Sequence, residues 1–252
     1  MIGVGNNVAA VFDEKTKSIE LHSDNGTLDE SWAFYLGSAR SLAISVRVAD
    51  GKVFLPKDSS YIFSSFYSLE HFDSSGFDTS NVKNMRCMFA KCSNLKSLDL
   101  RTFDTSSVSN MSDMFDDCMK LTHLNLDRWN TSNVTDMSYM FHNCENLTNL
   151  DVKSFDTSKV RNMYSMFWSC KTLTYLDLSG FDTTNVKSMR AMFGRCWNLT
   201  ELNLNSFDIS NIEDMYGMFY ECKNLKHVTM NPVVNQYTTT SEIFKGCRTE
   251  II

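Results

Sequence analysis

The chain has 252 residues, 42% of them hydrophobic, and a formal net charge of −6 from 24 Lys and Arg against 30 Asp and Glu. Its length suits one extended domain, and its apolar share is too high for an intrinsically disordered chain. No basic cluster is present to neutralise phosphates, which argues against a nucleic-acid partner, and no run approaches the roughly 18 apolar residues of a membrane helix.

At the front, residues 1–7 lack the basic-then-apolar order of a secretion signal. The expectation is a cytoplasmic protein if nothing precedes them, and a cell-surface or secreted one if they are cut from a longer exported chain. Residues 8–12 and 18–21 read as a pair of strands. Residues 42–48 and 53–55 flank Asp50-Gly51, a hairpin signal. Residues 1–57 are therefore expected to form a β-rich N-terminal cap.

Residues 58–76 read as a partial coil. Ile62, Phe63 and Leu69 fill slots that recur one period later, and Phe66 stands where later copies place Cys. This partial coil, closed by a bulky ring, gives way to strict repetition. Phe77, Phe103, Trp129, Phe155, Phe181 and Phe207 lie 26 residues apart, each opening nearly the same phrase, so residues 77–232 hold six full coils.

Within the copy that starts at Phe103, Met111, Met114, Phe115 and Cys118 fall at i, i+3, i+4 and i+7, which predicts a helix of about two turns. The slot before it holds Asn84, Asn110, Asp136, Asn162, Ser188 and Asp214, all good N-cap residues. Leu124 and Leu126 alternate with polar neighbours and predict a short strand with one buried face. The Asp-Thr-Ser-Asn run between strand and helix is turn chemistry. The reading is an α/β solenoid of 26-residue coils, each with a short parallel strand and a short helix, stacked on a shared core. Residues 233–252, where Glu242 to Cys247 repeat the phrase one residue short, are expected to form a degenerate last coil or cap.

The LxxLxL segment together with FDTSxVxxMxxMFxxC, over roughly residues 58–247, resembles the BspA-type leucine-rich repeat of bacterial surface proteins and mycoplasma lipoprotein-like proteins. The resemblance implies a leucine-rich-repeat solenoid engaged in protein–protein contact or adhesion at a cell surface, and no catalysis.

The eight cysteines invite a mechanism of their own. Cys92, Cys118, Cys144, Cys170, Cys196 and Cys222 recur once per coil, with Cys247 in the last, and stacking turns them into a ladder. A ladder gives parallel side chains, whereas zinc needs converging ligands and a disulfide needs closer Cβ atoms. Small buried thiols filling a tight corner are expected. Cys87 stands outside the ladder and is expected to be exposed and the first to be labelled. The paired Met slots, from Met85 and Met88 to Met215 and Met218, are expected in the core.

His142 lies two residues before Cys144, but residues two apart on a helix face different ways, so no Cys–His nucleophile is read. Neither catalytic nor metal-ligating residues nor a cofactor are expected. The Asn-x-Ser/Thr sequons at Asn25, Asn110, Asn130, Asn133, Asn146 and Asn198 are mostly by-products of the repeat phrase.

Recognition is sought where the copies differ. One candidate surface is the outer side of the predicted helices, carrying Tyr139, His142, Tyr164, Trp168, Arg190, Arg195, Trp197, Tyr216 and Tyr220. Trp, Tyr and Arg dominate interface energies. A second is the strand face, with His123, Asp151, Tyr175, Asp177 and Glu201. The expected function is adhesin-like binding of a protein partner by a monomer; the alternative is an intracellular inhibitor or immunity-type protein that blocks another protein.

Overall fold

The computed structural model describes residues 1–231, 238–248 and 250–251. The alternating residues at the front do form paired strands. β1 (Ile2–Asp13) runs antiparallel to β2 (Ser18–Leu28), with Ala10 opposite Leu21 and Phe12 opposite Ile19. The expected hairpin at Asp50-Gly51 is absent. β3 (Ser45–Asp50) and β4 (Val53–Phe54) lie in line, and both pair parallel with β2, Ser45 with Ser18 and Val53 with Gly26. Gly51 is a bend in this line, where a Cβ would sit 2.0 Å from the Ser23 carbonyl of β2. An aligned strand gains partners on both edges, because β5 (His71–Phe72) pairs with β3 and β6 (Phe77–Asp78) with β4. A folded-back hairpin forgoes one of them.

Two short helices that the sequence pattern does not signal, α1 (Trp32–Tyr35) and α2 (Ala39–Leu42), come after β2. Trp32 is fully buried, stacks on Phe66 at 5.6 Å and donates its Nε1–H to the Ile62 carbonyl at 2.7 Å. The two large rings close the first coil.

Beyond β6 the chain is a solenoid. β7 (Ser97–Asp99) pairs parallel with β8 (His123–Asn125), His123 bridges to Asn149, and β9 (Glu201–Leu204) pairs with β10 (His227–Met230). β11 (Glu250–Ile251) adds to β10. Residues 232–237, where the sixth coil ends and the last begins, lie outside the described residues, as do 249 and 252.

The segment expected to be helical is not a helix. Among the described residues of the full coils, the MxxMFxxC phrase forms two successive turns, each with one residue in the left-handed region, such as Cys87 (φ 54°) and Lys91 (φ 64°). Donors alternate along it. The Met88, Ala90 and Cys92 amides bond back three residues, while those of Met85, Cys87, Phe89 and Lys91 donate to Asn110, Ser112, Met114 and Asp116 of the next coil at 2.7–2.9 Å. A left-handed residue costs roughly 1–2 kcal/mol, and donation to the neighbouring coil keeps the buried backbone satisfied. Met and Phe still face inward because two four-residue turns reproduce an i, i+3, i+4, i+7 spacing as well as a helix does.

The slot read as an N-cap keeps its chemistry in another setting. Asp58, Asn84, Asn110, Asp136, Asn162, Ser188, Asp214 and Thr239 form a column of parallel bridges, one per coil. Side-chain oxygens there accept the amide two residues on, as in Asn110 Oδ1 to Ser112 N at 2.8 Å. The FDTS phrase does the same: Asp104 Oδ1 accepts Ser106 N at 2.9 Å, and buried Thr105 donates to the Asn130 carbonyl of the next coil at 3.0 Å.

Two columns run through the interior. Phe63, Phe89, Phe115, Phe141, Phe167, Phe193, Phe219 and Phe244 stack ring on ring at centroid distances of 5.0–6.0 Å. Beside them each ladder thiol donates to the carbonyl of a Phe one coil earlier, Cys170 Sγ to Phe141 O at 3.1 Å being typical. That same carbonyl accepts the Cys144 amide at 3.2 Å. The column thus asks for a residue that is small and can donate, and cysteine is both. The paired Met slots are fully buried, as expected.

Candidate functional site

On the outer side of the turns, three neighbouring residue columns build a groove. In the last three full coils the central column is small and buried, and Ser165, Ala191 and Gly217 form the floor. Tyr164, Arg190 and Tyr216 line the groove in one column, and Trp168 and Tyr220 in another. With Tyr139 and His142 at one end and Glu242 and Lys245 at the other, they enclose a cavity of 580 Å³.

The walls are braced by contacts between coils. The Tyr139 and Tyr164 rings lie 4.7 Å apart, and burial together with the Tyr164 hydroxyl pushes the Tyr139 phenol above its ordinary range. Arg190 sits 4.2 Å over the Tyr216 ring and 3.4 Å from Asp214. The Tyr216 hydroxyl donates to Glu242 at 2.6 Å, which raises its pKa; Glu242 is held low, chiefly by Lys245 at 2.7 Å. His142 Nδ1 lies 2.6 Å from Asp116. The charged side chains that line the cavity, Arg190, Glu242 and Lys245, each have a counter-charge, and they present their surface together with the aromatic rings.

Seven of the nine residues expected on this side line the cavity: Tyr139, His142, Tyr164, Trp168, Arg190, Tyr216 and Tyr220. Arg195 stands behind it, 5.5 Å over the Trp168 ring and paired with Glu221 at 2.9 Å. Trp197 is apart, with Lys171 and Lys223 at 4.6 and 4.7 Å from its ring and no hydrogen-bond partner for its Nε1 among the described residues. Tyr164 and Trp168 both line the cavity, from two successive turns and not from one helix.

The strand face divides in two. Tyr175, Asp177 and Glu201 border a depression of 560 Å³, with Asn203, His227 and Thr229. His123 and Asp151 border a separate one of 410 Å³. Tyr175 is 65% exposed and stands alone there as a large ring.

Cys87 is not the exposed thiol it was expected to be. It is buried, contacts the Tyr61 hydroxyl, and its pKa is raised by burial. The cover comes from Tyr61, one period earlier in the partial coil, whose hydroxyl meets the thiol. Cys247 is the more accessible cysteine. Cys144 is fully buried, its thiol is pushed well above the ordinary range by desolvation, and it donates to Phe115 O, which removes it as a nucleophile for His142. Sequence reading missed the grouping of Asp116, Asp117 and His142, whose ligand-type atoms lie within 4.8 Å of one another. His142 is 26 residues from Asp116, one period, so the signal was available. Hydrogen bonds already occupy the group, His142 on Asp116 and Asn143 on Asp117 at 2.8 Å.

Likeness to known proteins runs along the repeat. The family model described as "Mycoplasma protein of unknown function, DUF285" matches residues 57–175 and 146–250. Among curated proteins none matches. Similar solved structures include a leucine-rich repeat protein of T. pallidum, TpLRR, at 18% identity, covering 90% of this chain and 81% of that one with a TM-score of 0.39. Another is a leucine-rich repeat protein from Bacteroides ovatus ATCC 8483, at 13% identity, covering 98% and 92% with a TM-score of 0.30.

Proposed function

Given that the chain belongs to this mycoplasma and BspA-type leucine-rich-repeat family, we propose that it is a non-enzymatic binding module that holds a protein partner in the aromatic groove of its middle and C-terminal coils. A repeat fold of this kind is a protein-interaction scaffold. The observation that carries the reading is the convergence of Tyr164, Trp168, Arg190, Tyr216 and Tyr220, from three coils, on one cavity over a floor of small residues. Rings held rigid by their neighbours lose little entropy on binding, so their contact area converts well into affinity. Adhesin-like recognition is the finer form of the proposal and rests on the family resemblance; the alternative is blockade of an intracellular partner.

The strand-face depression at Tyr175 is a second, smaller candidate because it offers one large exposed ring. Affinity capture with the intact chain tests both. Partners retained by the parent chain and lost by Trp168→Ala and Arg190→Ala, but kept by Tyr175→Ala, place the contact in the groove. Equal retention by all variants removes it.

A further inference from the structure

Exposed apolar surface is concentrated at one end of the molecule. Of the ten large apolar side chains exposed among the described residues, eight lie within residues 1–67; only Met119 and Tyr175 lie in the six full coils. Phe34, in α1, is 82% exposed, and Tyr35 beside it is 52% exposed. α1 packs against β1. β1 in turn is a sheet edge: among the described residues it pairs only with β2.

Natural sheets protect such edges with Lys, Pro, short length or cover. β1 is 12 residues long and carries neither Lys, Arg nor Pro, and nothing ionisable between residues 2 and 12. One irregularity, at Asn6 to Val8, interrupts it. Residues 8–13 continue as a regular strand whose outer backbone groups have no strand partner among the described residues.

We propose that this end docks a second copy of the chain, β1 against β1 and antiparallel about a two-fold axis. The strip is complementary to itself. With the axis at Ala10, Val8 falls opposite Phe12 and Ala9 opposite Val11, so apolar residues meet on both faces. No like charges meet across it, although the chain as a whole carries −6 and repels its own kind elsewhere. The exposed rings of Phe34 and Tyr35 lie on the helix packed against this strand. So small an interface gives weak, reversible dimers.

Sedimentation velocity on the intact chain in reductant, from about 1 to 100 µM, reads the equilibrium. The expected result is a monomer giving way to a dimer as concentration rises. Ala9→Lys with Val11→Lys puts four Lys on facing strands, and Ala9→Glu with Val11→Glu does the same with Glu; each variant alone is expected to sediment as a monomer. Mixed one to one, they are expected to regain a dimer, which a merely misfolded variant cannot do. A monomeric parent chain across that range overturns the proposal, and so does a dimer that both charge variants leave intact or that their mixture fails to restore.

Discussion

The indole of Trp168 stacks on Tyr220 at 6.0 Å, two coils away, because the residue between them in the column is Gly194. A Cβ at 194 would lie 2.1 Å from two atoms of the indole. One wall of the groove is therefore continuous only because the intervening coil has no side chain there.

Gly194→Ala is accordingly expected to expel the indole from its seat. Overpacking of this kind costs about 1–3 kcal/mol, and loss of the ring pair about 0.5–1.5 kcal/mol more. Urea unfolding reads the stability, and near-ultraviolet circular dichroism reads the ring pair. An unchanged aromatic spectrum would show that the indole is free to move without consequence.

Thr131 tests the hydroxyl column. It is buried and donates to the Asp156 carbonyl of the next coil at 3.0 Å. Thr131→Val keeps the shape and leaves that carbonyl short of a donor, so a loss of about 1–2 kcal/mol is expected by denaturant titration. A cost below about 0.3 kcal/mol would mean that the bond adds nothing net over solvation.

The cysteine ladder sets the response to alkali. Burial raises the Cys92 and Cys196 thiols to about 12 from the ordinary 9.0. Above pH 9 the unfolded chain releases thiol protons that the folded chain retains, so the folded state binds more protons and stability falls as pH rises. The stabilisation is complete below pH 9 and is lost progressively towards pH 12, at up to about 1.4 kcal/mol per pH unit per thiol. Stability measured at intervals from pH 8 to 11 should show a steep decline, shallower in Cys196→Ala. Identical slopes in parent and variant would contradict the assignment to thiols.

Thiol labelling gives an independent reading. Under native conditions iodoacetamide is expected to modify Cys247 first, Cys87 slowly, and Cys118, Cys144 and Cys170 only on unfolding, since these three are wholly buried. Peptide mapping by mass spectrometry resolves the order. Early modification of Cys144 or Cys170 would show that the coils open far more readily than their packing implies.

Much of the fold is legible in the sequence because a solenoid writes its contacts at a fixed interval. The 26-residue spacing places Phe115 on Phe141 and Cys144 above Cys118 without further information. It also brings Tyr164, Arg190 and Tyr216 together. Spacing cannot reveal where an amide points. Met111, Met114, Phe115 and Cys118 satisfy helical periodicity, yet the Met111 and Phe115 amides donate to Asp136 and Met140 of the neighbouring coil. Clues to the left-handed turns are present in Asp113, Asp117, Asn143 and Gly217, residue types that tolerate that conformation, but Lys91, Tyr139 and Arg195 share those columns and mask the signal. Cys87 misleads for another reason: the ring that covers it, Tyr61, belongs to the partial coil one period earlier. Asp50-Gly51 misleads differently: its local preference for a hairpin yields to strand partners available on both sides.

Because alternate amides of every turn segment are donated outward, a winding detached from its neighbours would leave a row of hydrogen-bond donors facing water and could not hold its shape. Adding or removing one residue would misalign every vertical row beyond that point, whereas excising a whole period would only shorten the stack. Viable change in the length of such a molecule is therefore quantised in units of its repeat.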